Sequence, residues 1–275
     1  MSTILIPTLI VGGIGAICGI ILALTSTLMA VPVNKKVEKI KDLLPGANCG
    51  ACGFPGCDGY AQAIAGGEAS ITNCPPGGQI LVTELCELLG IDAEEAVEEV
   101  AVVLCRSCDI VRKDKLNYIG AYTCTYASQM YGGHTACFYA CQGYGDCIDT
   151  CKYDAIHITN GLAVIDQDRC VGCKLCVASC PKGLIQMAPT KDAAVVFCSS
   201  KDWGPNVRKV CTLGCIGCSK CVKVCKKEAI QVENYLAKVD YEKCNGCKDC
   251  VNTCPMGIIF MNSSARKHGI SMPSS

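Results

Sequence analysis

The feature that most constrains this chain is a pattern of cysteines that occurs twice at one fixed offset. Cys147, Cys151, Cys170, Cys173, Cys176 and Cys180 return 74 residues later as Cys221, Cys225, Cys244, Cys247, Cys250 and Cys254. Other positions keep the same offset. Asp154-Ala155-Ile156 returns as Glu228-Ala229-Ile230, and Asn160-Gly161-Leu162-Ala163 as Asn234-Tyr235-Leu236-Ala237. Pro181-Lys182-Gly183-Leu184-Ile185 returns as Pro255-Met256-Gly257-Ile258-Ile259. Agreement of this kind marks duplication of a whole module. The chain has 27 cysteines in 275 residues, which serve either disulfides or metal. Disulfide-dense domains are small, secreted and irregularly spaced. Here runs of C-x2-C-x2-C-x3-C recur, and an odd count cannot be fully paired. The pattern points to metal, and to a reducing compartment for the cysteine-rich part. With only 5% aromatic residues, a large conventional core is not expected, but metal–ligand bonds supply folding free energy to small domains.

Each module resembles a bacterial-type two-cluster ferredoxin. The run Cys215-Ile216-Gly217-Cys218-Ser219-Lys220-Cys221-Val222-Lys223-Val224-Cys225 is followed by Cys244-Asn245-Gly246-Cys247-Lys248-Asp249-Cys250-Val251-Asn252-Thr253-Cys254-Pro255. In that motif the fourth cysteine of each run ligates the other cluster. The resemblance implies one 4Fe–4S cluster on Cys215, Cys218, Cys221 and Cys254, and a second on Cys225, Cys244, Cys247 and Cys250. The first module departs from the pattern, with Tyr144 at the place of Cys218. Its upstream cysteines are Cys137 and Cys141, so Cys137 is expected to replace the missing ligand. One cluster then uses Cys137, Cys141, Cys147 and Cys180, and its mate Cys151, Cys170, Cys173 and Cys176. A three-iron or absent cluster is the alternative at the irregular site.

The 74-residue offset also pairs Cys124 with Cys198 and Cys137 with Cys211, which makes Cys198 and Cys211 relics or parts of the module. Cys211-x3-Cys215-x2-Cys218 reads as a radical-SAM triplet, but Cys215 and Cys218 belong to the fuller motif and too little chain follows for a barrel. Cys105-x2-Cys108 with Cys124 and one further thiol matches no strong template for a sixth site.

Upstream lies Asn48-Cys49-Gly50-Ala51-Cys52-Gly53-Phe54-Pro55-Gly56-Cys57, then Cys74-Pro75-Pro76. The four thiols Cys49, Cys52, Cys57 and Cys74 suit a cubane 4Fe–4S cluster, the interspersed glycines letting backbone N–H groups approach its sulfurs. A four-thiolate zinc site is the alternative. Five clusters are therefore expected, and they use 20 of the thiols.

Residues 1–34 carry no charged side chain. The stretch from Ile4 to Val33 is long enough to span a bilayer, and Gly15-x-x-x-Gly19 suits close helix packing. No positive n-region precedes it, as a signal peptide would require. Lys35, Lys36, Lys39 and Lys41 follow, which by the positive-inside rule places the N-terminus outside and the cluster domains on the cytoplasmic side of the cell membrane. Cys18 is read as a small packing residue.

The expected fold class is α+β, with a transmembrane helix (1–33), a basic linker (34–42), a small 4Fe–4S domain (43–80), a helical connecting region (81–133), ferredoxin modules (134–190 and 191–262) and a loose Ser-rich tail (263–275). In the connecting region two short helices separated by Gly90 are expected, with Thr83 and Asp92 as N-caps.

Lys+Arg and Asp+Glu balance at 25 each, so net charge is silent on nucleic acid, and no nucleic-acid partner is expected. Arg208, Lys209, Lys220, Lys223, Lys226 and Lys227 flank the second module's cysteines and suggest a docking face for an acidic soluble ferredoxin. No phosphate-cradling loop or nucleophile–base pair is present, and His134, His157 and His268 are scattered, so no catalytic residues are assigned. The chemistry on offer is one-electron transfer.

The order of parts, an apolar segment, the Asn48-to-Cys57 motif with Cys74-Pro75 and two ferredoxin modules, resembles the B subunit of the Rnf complex, in its longer form. The resemblance implies an electron-transfer subunit of a membrane-bound ferredoxin:NAD oxidoreductase coupled to sodium or proton movement. It receives electrons from reduced ferredoxin, while the NAD site and ion path lie on other subunits. A membrane-anchored polyferredoxin of another redox complex and an iron–sulfur redox sensor remain alternatives.

Overall fold

The structure, a computed structural model, describes residues 2–28, 34–91 and 98–263. Asp92 and the chain beyond Ser263 lie outside the described residues.

Helix α1 (Ser2–Leu28) is uncharged over its 27 residues. Its side chains are described for residues 12–25 alone, and all of these are exposed. Ile14, Ile17, Ile20, Ile21, Leu22 and Leu24 are between 54% and 69% exposed, and Cys18 is exposed too rather than packed. An added Cβ at Gly15 or Gly19 would meet nothing within 4 Å. Among the described residues no helix is long and apolar enough to cross a membrane.

The segment read as a basic linker is helix α2 (Lys35–Leu43). Asn34 caps it, its side chain accepting the Lys36 N–H at 3.0 Å, and Ile40 is its buried residue. Helices α3 (Cys57–Gly66) and α4 (Gly78–Leu89) pack with it around Ile40, Tyr60, Ile64, Leu81 and Leu85. Helix α4 ends where Gly90 turns left-handed. Thr83, expected as its N-cap, lies inside it with Oγ1 bonded to the Gln79 carbonyl. The second expected helix does not form over residues 99–103. Val100, Ala101, Val102 and Val103 make strand β1 (Glu99–Val103), because a continuous, largely β-branched run suits a strand buried on both faces.

The first module continues with α5 (Cys124–Gln129), α6 (Asp146–Asp149), hairpin strands β2 (Ile156–Thr159) and β3 (Leu162–Ile165), α7 (Leu175–Ser179) and β4 (Ile185–Pro189). The hairpin turns at Asn160 and Gly161, both at positive φ, as a two-residue turn requires. β4 pairs antiparallel with β1, from Glu99↔Pro189 to Val103↔Ile185, so the first module begins inside the expected connecting region. The second module is β5 (Ala194–Val196), α8 (Gly204–Val210), α9 (Lys220–Val224), hairpin β6 (Ile230–Glu233) and β7 (Leu236–Val239), α10 (Asp249–Thr253) and β8 (Ile259–Met261). Its outer pair is β5 with β8.

A second offset relates the outer strands. Ala101-Val102-Val103 and Cys105 correspond to Ala194-Val195-Val196 and Cys198, 93 residues on. The hydrogen bonds repeat with them. The Leu104 N–H donates to Leu184 O as Phe197 N–H does to Ile258 O, and Ser107 N–H to Cys105 Sγ as Ser200 N–H to Cys198 Sγ. The structural partner of Cys198 is therefore Cys105, not Cys124. The difference of offsets is an excursion 19 residues longer in the first module, and Cys124 rides on it.

Period-two alternation divides the outer strands between two cores. Ala101 and Val103 face the first module and Ala194 and Val196 the second, while Val102, Ala188, Val195 and Phe197 form a buried seam between the modules. Arg106 spans the seam, donating to Gly257 O at 3.0 Å with its guanidinium over the Phe260 ring. Asn262 locks it. Its amide donates to Pro189 O at 2.6 Å and its Oδ1 accepts from Gln167 at 2.9 Å.

Candidate metal centres

In the N-terminal domain the chain turns tightly from Asn48 to Cys57. Asn48 Oδ1 accepts the Cys57 N–H at 2.8 Å, which fixes the start of α3 beside the loop carrying Cys49 and Cys52. Cys74 enters from the other side. Burial pushes its thiol up to about 11, with Cys52, Cys49 and Cys57 adding to the rise. The four thiols read from spacing thus stand together. Thiols packed this closely repel one another as thiolates, and a cluster's irons reverse that balance.

The second module brings together both of its expected sets. Burial raises Cys221 to about 11, and Cys215, Cys218 and Cys254 are its thiol neighbours. A cavity is lined by Cys225, Cys244, Cys247 and Cys250. Gly246 is required there: it has φ +73°, and a Cβ on it would stand 2.6 Å from Asp192 O. In the first module, burial raises Cys176 to about 12, with Cys170, Cys173 and Cys151 around it.

The irregular site differs from expectation. Its cavity is lined by Cys124, Cys141, Cys147 and Cys180, and Cys137 does not line it. Burial raises Cys147 to about 12, and its thiol neighbours are Cys141, Cys124 and Cys180. Cys137 stands apart, near Cys211, Asp202 and Lys182. The spacing Cys137-x3-Cys141 misleads because the chain between them turns, the Ala140 N–H bonding back to Cys137 O at 3.2 Å. Cys124 has no spacing signature, and only the 19-residue excess of its loop points to something special.

Among the described residues no three His, Cys, Asp or Glu converge tightly enough for a single metal ion. A cubane is held at four separate irons, so its thiolates surround a volume rather than meet at a point.

Neighbouring cysteines link several of the sets. Cys250 neighbours Cys221 across the second module. Cys198 Sγ accepts the Cys215 N–H at 3.3 Å, and Cys198 lies beside Cys105, whose sulfur the Cys141 amide faces. At the far end Cys173 neighbours Cys49, and Tyr153 sits among Cys173, Cys49, Cys74 and Cys151. Lys152 ties the two domains there, donating to Ala47 O at 3.0 Å.

Comparison with known proteins finds iron–sulfur families at three places along the chain. Residues 44–76 match the family described as "Putative Fe-S cluster", residues 163–186 a 4Fe-4S binding domain and residues 214–258 a 4Fe-4S dicluster domain. The chain is 41% identical over 260 residues, 94% of its length and 78% of the relative's, to the B subunit of the Na(+)-translocating ferredoxin:NAD(+) oxidoreductase complex of Acetobacterium woodii. It is 38% identical to the proton-translocating counterpart of Clostridium ljungdahlii (94% and 93% covered). It is 35% identical to the B subunit of the ion-translocating oxidoreductase complex of Methanosarcina acetivorans (94% and 99%). The chain belongs to the Rnf B-subunit family. Membership in the Rnf B family accounts for the order of parts along the whole chain, from the Asn48–Cys74 domain through both ferredoxin modules. The ferredoxin modules bind 4Fe–4S clusters, and the Asn48–Cys74 domain matches an Fe–S cluster family.

The six basic residues of the suggested docking face are all exposed. Arg208 and Lys209 end α8, Lys220 and Lys223 lie in α9, and Lys226 and Lys227 follow Cys225. Lys227 and Lys248 line the Cys225 cavity, where Cys247 is exposed.

Proposed function

We propose that this chain takes electrons from reduced ferredoxin at its C-terminal module and relays them through five 4Fe–4S sites towards a membrane-anchored end, as a subunit of an ion-translocating ferredoxin:NAD oxidoreductase complex. The linkage between thiol sets carries the reading. Neighbouring thiols connect Cys250 to Cys221 within the second module, Cys215 through Cys198 and Cys105 to Cys141 of the first, and Cys173 to Cys49 of the N-terminal domain. A 4Fe–4S cluster supplies one-electron chemistry at low potential when bound.

The chain's own part is to hold the thiols of each site together and aim amides at their sulfurs. The Ala101 N–H lies 3.4 Å from Cys170 Sγ and the Leu184 N–H 3.4 Å from Cys180 Sγ. Such bonds favour the more negative, reduced state. Entry at the second module is supported by Lys227 and Lys248 beside an exposed thiol, where positive charge attracts an acidic carrier.

The anchor is supported by an uncharged 27-residue helix with exposed isoleucines and leucines, followed by Lys35, Lys36, Lys39 and Lys41. The lysines favour a cytoplasmic position for the cluster domains. Other subunits of the complex then hold the NAD site and ion path.

Anaerobic purification with iron and sulfide counting, followed by absorption and electron paramagnetic resonance during reduction by ferredoxin, tests the reading. About 20 irons per chain, reducible by ferredoxin, is the expected result. Far less iron, or full iron that ferredoxin does not reduce, sinks it. Protease protection in membrane vesicles tests the orientation.

A further inference from the structure

The irregular site of the first module has three thiols in register with the second module and lacks the one corresponding to Cys218. We propose that Cys124 supplies this fourth thiolate, delivered by the first module's long excursion, and that Cys137 does not ligate. The proposal rests on reading the thiol sets as 4Fe–4S sites.

Four independent placements support it. The cavity of this site is lined by four cysteines, Cys124, Cys141, Cys147 and Cys180, just as the regular cavity is lined by Cys225, Cys244, Cys247 and Cys250. The Cys124 sulfur faces the backbone amides of Tyr144, Gly145 and Asp146. It therefore stands at the backbone of the very residue that occupies the Cys218 position.

The Tyr144 ring meanwhile packs among Tyr118 and Tyr122, both at 5.8 Å between centroids, and His134 at 5.4 Å. Tyr118 and Tyr122 belong to the excursion, so the residue that stands in place of the thiol clamps the loop that brings another. Asp146 anchors the same loop. Its carboxylate accepts the N–H groups of Cys124 and Thr125 at 2.6 and 2.9 Å and the Thr125 hydroxyl at 2.8 Å.

The other nearby thiols are accounted for. Cys105 has the same hydrogen-bond surroundings as Cys198, and Cys198 stands beside a second-module site that already has its four thiols. By that symmetry Cys105 is a neighbour of the cluster rather than a ligand. Cys137 neighbours Cys211, its equivalent in the other module. Ligation by Cys124 forms one sulfur–iron bond and releases the thiol proton.

The test compares Cys124→Ala, Cys137→Ala and the double variant Cys124→Ala/Tyr144→Cys in the full chain, purified anaerobically. The readouts are iron content and the electron paramagnetic resonance of the oxidised protein. Cys137→Ala should match the wild type. Cys124→Ala should lose between about one-twentieth and one-fifth of the iron, one iron or one cubane, with a three-iron signal in the former case. The double variant places a thiol back on the ferredoxin position and should restore the lost iron, which separates ligand loss from misfolding. Full iron in Cys124→Ala overturns the proposal, as does iron loss in Cys137→Ala or a double variant no better than Cys124→Ala. A wild type far short of five cubanes would instead overturn the five-cluster reading.

Discussion

The Cys124 amide donates to the Asp146 carboxylate at 2.6 Å, joining the start of a six-residue helix to the residue just before Cys147. Asp146 also holds the Thr125 amide and hydroxyl, and although burial pushes its carboxyl up, these bonds outweigh it and hold the group below the ordinary range. Asp146→Ala removes all three and should cost about 2 kcal/mol of local stability. Iron release to a chelator should then show one fast phase of roughly a fifth of the total, with the rest at the wild-type rate. A uniformly faster release would count against a local role.

Charge at the second module should govern encounter with ferredoxin. Replacing Lys223, Lys226 and Lys227 by Gln should slow second-order reduction by ferredoxin about threefold to tenfold at low ionic strength. The difference should vanish as salt is raised, because exposed charges are screened. Stopped-flow reduction across a salt series measures it, and equal rates at low salt would remove the docking assignment.

The seam between modules rests on Asn262, only 1% exposed and bonded to Pro189 O and to Gln167. Asn262→Ala leaves a buried carbonyl and a buried amide unpaired and should cost about 1–3 kcal/mol. Hydrogen exchange should rise on β4 and β5 together while the exchange of α3 and α4 stays unchanged.

His134 gives a pH dependence. Burial lowers its pKa from the usual 6.5, and Arg112 lowers it further, against the opposing pull of Asp114, Gln142 and Asp109. The ring sits 3.3 Å from the Tyr144 hydroxyl. Its folded pKa lies below its unfolded value, so the unfolded loop binds the proton more readily. Stability from the neutral ring is present above pH about 6.5 and falls as pH drops from there through the folded pKa. Exchange of the excursion's amides should speed up over that window in the wild type and stay flat in His134→Gln.

Much of the fold is legible because duplication shows itself in residue numbers. Asn160-Gly161 between alternating apolar residues marks a hairpin, and the two cysteine runs mark the cross-stitched module. Strand β1 is not legible in the same way. Acidic residues around Val100–Val103 imitate a helical period, and only pairing with β4, some 80 residues on, decides otherwise. The partner of Cys198 escapes the sequence for a related reason. A single offset does not hold across the whole module, because an excursion lies between Cys105 and Cys137 and shifts everything before it.

The irregular cluster site shows the division most clearly. Sequence alone determined that the chain carries iron–sulfur modules, that one corner of one module lacks its cysteine, and that Tyr144 stands there. These are statements about local spacing, and the short ligand runs fix local backbone. Which thiol reaches that corner was decided by tertiary structure. Cys124 arrives from outside the run, held by Asp146 and by aromatic packing on Tyr144. A loop closed by such contacts can place a thiol at almost any separation along the chain, so no spacing rule records it.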